Sequence, residues 1–147
     1  MHEIFLIRYA EYENGHITAQ GIKTMQRLAF KLKPSLEGST FQIVAAEVDR
    51  AMESAEILAQ ELPTPLPLEV TPLLYAAEED GREPDIQAAA TFLSSLSEKN
   101  SVFVILSREY IEALPHYFLS EAPEKVSLQR GEAVKINKQR HILEFIR

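Results

Sequence analysis

The chain of 147 residues has no cysteine, no tryptophan and only 4 histidines. The absence of cysteine excludes disulfides, thiolate metal ligands and a cysteine nucleophile. No two histidines stand at the spacing of a metal-binding pair, and no carboxylate cluster accompanies them. We therefore expect neither a metal site nor a cofactor.

Positively charged residues are fewer than negatively charged ones. The chain has 15 Lys and Arg and 22 Asp and Glu, and its net charge is -7. A nucleic-acid partner would require clustered Lys and Arg to neutralise its phosphates. No apolar run is long enough to cross a bilayer, and the first one lacks the basic region of a signal peptide. The expected protein is cytoplasmic and binds neither nucleic acid nor membranes, while its oligomeric state stays open.

Apolar residues make up 46% of the chain, which suits one compact domain over residues 1–147. Three short apolar runs, "IFLI", "FQIVAA" and "VFVIL", are typical of strands buried in a parallel sheet. A fourth run, "LEVTPLLY", is interrupted by Pro72, which indicates an edge strand or a strand end.

Amphipathic segments alternate with these runs. Helical periodicity predicts helices at residues 19–32, 49–62 and 88–96, and a fourth in "EYIEALPHYFL" that is kinked or ended near Pro115. The segments "EAVKI" and "HILEFI" around "NKQR" predict a C-terminal β-hairpin. Strands alternating with helices predict an α/β layer fold.

Ligands of open α/β sheets lie beyond the carboxyl ends of the strands. Here the first strand is followed by Arg8 and Tyr9, the second by Glu47 and Arg50, and the "VFVIL" strand by Ser107. Guanidinium groups bind phosphate or carboxylate through paired hydrogen bonds. Two arginines on one rim therefore predict a site for such an anion.

At these positions the sequence resembles the histidine phosphatase superfamily, which is phosphoglycerate mutase-like, and especially its short phosphohistidine phosphatases. The family motifs are R-H-G-E, L-T-x-x-G, S-P-L-x-R-A-x-Q-T-A and S-H-G-G. Their counterparts are "RYAE", "ITAQG", "AEVDRAMESAEIL" and "VFVILSREYIEAL", spread over most of the chain. The resemblance implies a three-layer sandwich with a mostly parallel central sheet flanked by helices.

In this family the first histidine accepts the phosphoryl group, two arginines and a second histidine hold its oxygens, and a carboxylate donates a proton. Tyr9 stands at the first histidine position and Ser107 at the second. A phenol has a pKa of about 10 and is mostly protonated at pH 7, and a serine offers no positive charge. The resemblance therefore implies a pseudoenzyme with no catalytic residue.

The remaining candidates bind rather than react. They are Arg8, Arg50, Tyr9, Ser107 and Glu47. Either Glu47 or Glu109 is positioned to neutralise the arginines and close the pocket. Tyr9 is expected to pack in the emptied pocket, with its hydroxyl bonded to Arg8 or Glu47, in preference to any catalytic use.

Other residues of the expected rim have weaker assignments. Thr18 and Gly21 match the family framework before the first helix, and His16 is expected to be a solvated loop residue near the pocket mouth. The proton-donor carboxylate falls among Glu78, Glu79 and Asp80.

Three functions fit these residues. The first is a degenerate histidine-phosphatase domain whose partner is a phosphate-containing or anionic small molecule or a phosphoprotein. The second is an active phosphohistidine or phosphomonoester phosphatase with an altered mechanism. The third is a protein-interaction scaffold with a closed pocket.

Overall fold

A computed structural model describes residues 2–36, 38–76, 81 and 83–147 of the chain. The α-helices of this part are α1 (Ala19–Leu32), α2 (Asp49–Glu61), α3 (Ile86–Ser97) and α4 (Arg108–Phe118). The strands are β1 (Ile4–Arg8), β2 (Tyr12–Glu13), β3 (His16–Ile17), β4 (Phe41–Ala46), β5 (Glu69–Thr71), β6 (Ser101–Leu106), β7 (Ala133–Asn137) and β8 (Ile142–Ile146). Short 3-10 helices span Lys33–Leu36 and Pro72–Leu74.

Six strands form the central sheet in the order β5-β4-β6-β1-β7-β8. The first four of that order are parallel, while β7 and β8 form an antiparallel hairpin at one edge. The expected mostly parallel sheet and C-terminal hairpin are confirmed. Pro72 ends β5 at the other edge, where a residue without an N–H is tolerated.

Helices flank the sheet in two packed pairs, α1 with α2 and α3 with α4. The residues of β1 and β6 are almost wholly buried between them, as their continuous apolar runs predict. The Phe5 and Phe103 rings meet edge to face at 4.6 Å, a contact worth about 0.5–1.5 kcal/mol beyond buried area. This rigid centre holds the carboxyl ends of β1, β4 and β6 at one edge.

Two local features differ from the sequence prediction. Helix α4 does not end near Pro115, which was one of the two expectations for it, but continues to Phe118, and the Pro115 carbonyl accepts the Leu119 N–H at 2.9 Å. The second feature is the β2–β3 ribbon, which we did not predict. Asn14 and Gly15 form its turn with φ of 52° and 83°, and Asn-Gly is the strongest local signal for such a turn.

Within the described residues, no helix combines the length and the hydropathy that a membrane span requires.

Candidate functional site

Arg8 stands at the end of β1, and the loop of residues 128–132 sets its orientation. The Arg8 carbonyl accepts a hydrogen bond from the Gly131 N–H at 2.9 Å, and the Arg8 N–H donates to the Glu132 carbonyl at 3.1 Å. Its Nη1 donates to the Leu128 carbonyl at 2.7 Å. A backbone carbonyl orients the guanidinium group without neutralising its charge.

Arg50 lies in the first turn of α2 and packs against two tyrosine rings. Its guanidinium carbon is 4.9 Å from the ring centre of Tyr9 and 4.7 Å from that of Tyr12. Burial lowers the pKa of Arg50, but the neighbouring oxygens of Tyr9, Tyr12 and Tyr75 together outweigh it. The pKa of Arg50 is therefore raised above its ordinary value.

Tyr9 is 8% exposed and occupies the interior of the site. The Arg50 guanidinium carbon lies over its ring, whereas the sequence led us to expect a bond from its hydroxyl to Arg8 or Glu47. Its ring meets Tyr12 edge to face at 5.5 Å. Tyr9 is thus a wall of the site that also holds Arg50 in place.

Both arginines carry a buried donor without an acceptor. The Nε of Arg8 and the Nε of Arg50 are buried and have no hydrogen-bond partner. Neither side chain is ion-paired to a carboxylate of the described residues. A buried unpaired donor costs about 1–3 kcal/mol, and native proteins keep few of them. Each guanidinium group therefore keeps a donor that no described residue satisfies.

The two carboxylates expected to close the pocket lie elsewhere. Glu47 is exposed and, in the described part of the chain, forms no ion pair with Arg8 or Arg50. Glu109 lies 3.8 Å from Arg108 instead. No carboxylate of the described residues therefore competes for the two guanidinium groups.

Ser107 is buried at the start of α4, and its hydroxyl is engaged by the backbone. The oxygen accepts the Ala76 N–H at 3.1 Å, and the hydroxyl lies 3.4 Å from the Leu74 carbonyl, to which it donates. Ser107 thus ties the start of α4 to the segment after β5, and its donor is engaged by a backbone carbonyl.

This arrangement occurs on a fold with solved relatives. The protein histidine phosphatase SixA complexed with tungstate superposes with a TM-score of 0.80 over 97% of this chain and 93% of that chain, at 16% sequence identity. The chain has the histidine phosphatase fold.

Two further structures extend the likeness. A mutant phosphoserine phosphatase from Entamoeba histolytica in complex with phosphoserine gives a TM-score of 0.70 at 16% identity, covering 99% of this chain and 95% of that one. The alpha-ribazole phosphatase from Shigella flexneri gives 0.63 at 18% identity, with 99% and 94% covered. No protein-family model matches the sequence, and no curated protein matches it at the level of sequence.

His16, which we expected in a solvated loop, lies in β3. Its side chain is 62% exposed, but its Nδ1 is 2.8 Å from the Glu53 carboxylate. That contact raises the pKa of His16. The same carboxylate accepts the Ile17 N–H at 2.8 Å, which is the main cause that lowers the pKa of Glu53. His16 therefore fastens the ribbon to α2.

The two residues that match the family framework have local structural roles, and Gly21 lies inside α1 rather than before it. Thr18 caps α1 by accepting the Gly21 N–H at 3.1 Å. A Cβ at Gly21 would lie 2.3 Å from the Glu11 carbonyl oxygen, so only glycine lets α1 approach the chain after β1.

Two site residues were missed by the sequence analysis. They are Tyr12 on the ribbon and Arg130 in the loop before β7, whose guanidinium carbon is 4.8 Å from the Tyr12 ring centre. The Asn-Gly turn was the signal for the β2–β3 ribbon, which carries Tyr12. No local pattern pointed to Arg130, because it lies more than 100 residues from Tyr12 in the sequence.

The expected proton donors Glu78, Glu79 and Asp80 fall outside the described residues. Within the part that is described, no group of three or more His, Asp or Glu side chains could hold a metal ion.

Proposed function

We propose that this protein binds a phosphate-containing or other anionic ligand through Arg8 and Arg50 and does not turn it over. The observation that carries this function is the pair of buried Nε donors without acceptors. Charge-assisted hydrogen bonds from guanidinium to an anionic oxygen are about twice as strong as neutral ones. A tetrahedral oxyanion would supply acceptors to both groups at once.

The absence of turnover follows from the residues that surround the arginines. Tyr9 is a poor nucleophile because its phenol is mostly protonated at neutral pH, and its ester would lack the lability of a phosphoramidate. Ser107 has no positive charge, and its hydroxyl is bound to the segment after β5. We assign both residues to the walls of the site and leave Glu47 at its exposed rim.

The structural likenesses support the ligand class. SixA was solved with tungstate, and the Entamoeba phosphatase with phosphoserine. We therefore expect the partner to be a phosphorylated small molecule or a phosphoprotein. We also expect the protein to be cytoplasmic and to form one domain over residues 1–147. A closed interaction scaffold is less well supported, because Glu47 and Glu109 make no ion pair with Arg8 or Arg50 within the described chain.

Calorimetric titration with inorganic phosphate and tungstate tests the proposal. The parent protein should show saturable binding, and Arg8→Ala and Arg50→Ala should each weaken it by about tenfold or more. Arg140→Ala is the matched control, since it removes the same charge from an exposed residue of the β7–β8 turn. That turn lies at the opposite end of β1 from Arg8. No binding to the parent protein, or equal loss in all three variants, would overturn the proposal.

A further inference from the structure

The loop of residues 128–132 brings a third guanidinium group to the site. Its carbonyls and N–H groups bind the main chain and Nη1 of Arg8 through three hydrogen bonds. Gly131 within this loop has φ of 75°, and a Cβ there would lie 2.1 Å from the Thr24 side chain. The loop therefore has one close-packed path, and Arg130 projects from it toward the β2–β3 ribbon.

Arg130 and Arg50 approach the same aromatic ring. Their guanidinium carbons lie 4.8 Å and 4.7 Å from the ring centre of Tyr12. Neither is ion-paired to a carboxylate in the described part of the chain. Cation–π contacts at exposed positions are worth only about 0.5–1 kcal/mol each, so two like charges near one ring are weakly stabilised without an anion.

Arg130 also lines a polar groove between α1 and the loop, with a volume of about 210 Å³. Its cationic lining residues are Arg27, Lys31, Arg130 and Arg147, on a chain whose net charge is -7. The groove also holds two carboxylates: Glu132 accepts the Gln129 N–H at 2.7 Å and lies 3.5 Å from Arg147, and Glu11 accepts the Thr24 hydroxyl at 3.0 Å. The groove thus has two more cationic than anionic side chains, and the loop that lines it also binds the main chain of Arg8.

We propose that Tyr12 and Arg130 form a second anion subsite beside Arg8 and Arg50, so that the ligand carries two neighbouring anionic groups. The first group is a phosphate, and the second is a phosphate or a carboxylate. This inference rests on the proposed function, because the first group is the anion bound by Arg8 and Arg50.

The test compares three ligands by calorimetry at constant ionic strength: inorganic phosphate, pyrophosphate and phosphonoacetate. The parent protein should bind pyrophosphate about tenfold more tightly than phosphate. Arg130→Gln should remove that preference and leave phosphate affinity within about twofold. Arg8→Ala should weaken all three ligands. Arg140→Gln is the control of equal charge change and should keep the preference.

The outcomes separate the two proposals. Phosphonoacetate binding as well as pyrophosphate indicates that a carboxylate suffices, and preference for pyrophosphate alone indicates a second phosphate; both support the subsite. Equal affinity of the parent for phosphate and pyrophosphate, or equal weakening of both by Arg130→Gln, would overturn it while the first site stands. Failure of every ligand to bind would reject the proposed function itself. Arg130 is exposed, and melting temperatures confirm that each variant is folded.

Discussion

The guanidinium group of Arg50 lies over the Tyr9 ring, with its carbon 4.9 Å from the ring centre. One side chain thereby supplies the charge of the site and the other orients it. This contact is how Arg50, the arginine of the proposed anion site, is held beside an aromatic residue.

Replacing Tyr9 with histidine should create slow turnover that the parent protein lacks. An imidazole is nucleophilic near neutral pH and forms a labile phosphoramidate, so Tyr9→His should release product from p-nitrophenyl phosphate above the background of the parent. Steady-state absorbance measures it. Adding Arg50→Ala to the Tyr9→His variant should abolish this turnover, because the phosphoryl oxygens then lose a hydrogen-bond donor.

Tyr9→Phe is the matched control for that experiment. It removes the hydroxyl and keeps the ring, and it should be as inactive as the parent. Turnover in the parent protein that disappears in Tyr9→Phe would contradict the pseudoenzyme assignment and identify Tyr9 as a nucleophile.

Removing the Ser107 hydroxyl should lower the stability of the fold. Such a loss would not be expected if Ser107 only bound a ligand. Ser107→Ala leaves the buried Ala76 N–H without its acceptor, which should lower the free energy of unfolding by about 1–3 kcal/mol. Urea denaturation measures the change. Ser95→Ala, at an exposed position of α3, should change it by less than about 0.5 kcal/mol, and an equal effect of the two would disprove the structural role.

The contact between His16 and Glu53 should make stability depend on pH. The pKa of His16 is raised above 6.5, so its contribution is complete below 6.5 and is lost as pH rises through the folded value. The pKa of Glu53 is lowered below 4.5, so its contribution is complete above 4.5 and is lost as pH falls through the folded value. The pair should therefore stabilise most between these limits.

Unfolding of the parent protein and His16→Gln in urea, at a series of pH values, checks this window. The difference between the two should be largest near pH 5.5, inside the limits of 4.5 and 6.5, and shrink toward pH 8. His2→Gln, at an exposed position, should show no such dependence. A difference that grows above neutral pH would have the wrong sign.

Much of the architecture was predictable from local patterns. The helix expected at residues 19–32 is α1 with the same bounds, and the "FQIVAA" strand is β4. The placement of Arg8 and Arg50 after parallel strands followed from the same patterns. Periodicity carries this information because each buried face recurs at a fixed spacing along the chain.

By itself, then, the sequence determined the order of the elements apart from the β2–β3 ribbon, and it predicted the edge of the sheet at which Arg8, Arg50 and Ser107 lie. Only the tertiary structure decided that Glu47 leaves Arg50 unpaired, that Ser107 binds the backbone, and that Arg130 reaches Tyr12. Those facts depend on loops and side-chain directions set by packing between distant segments, which no local periodicity encodes.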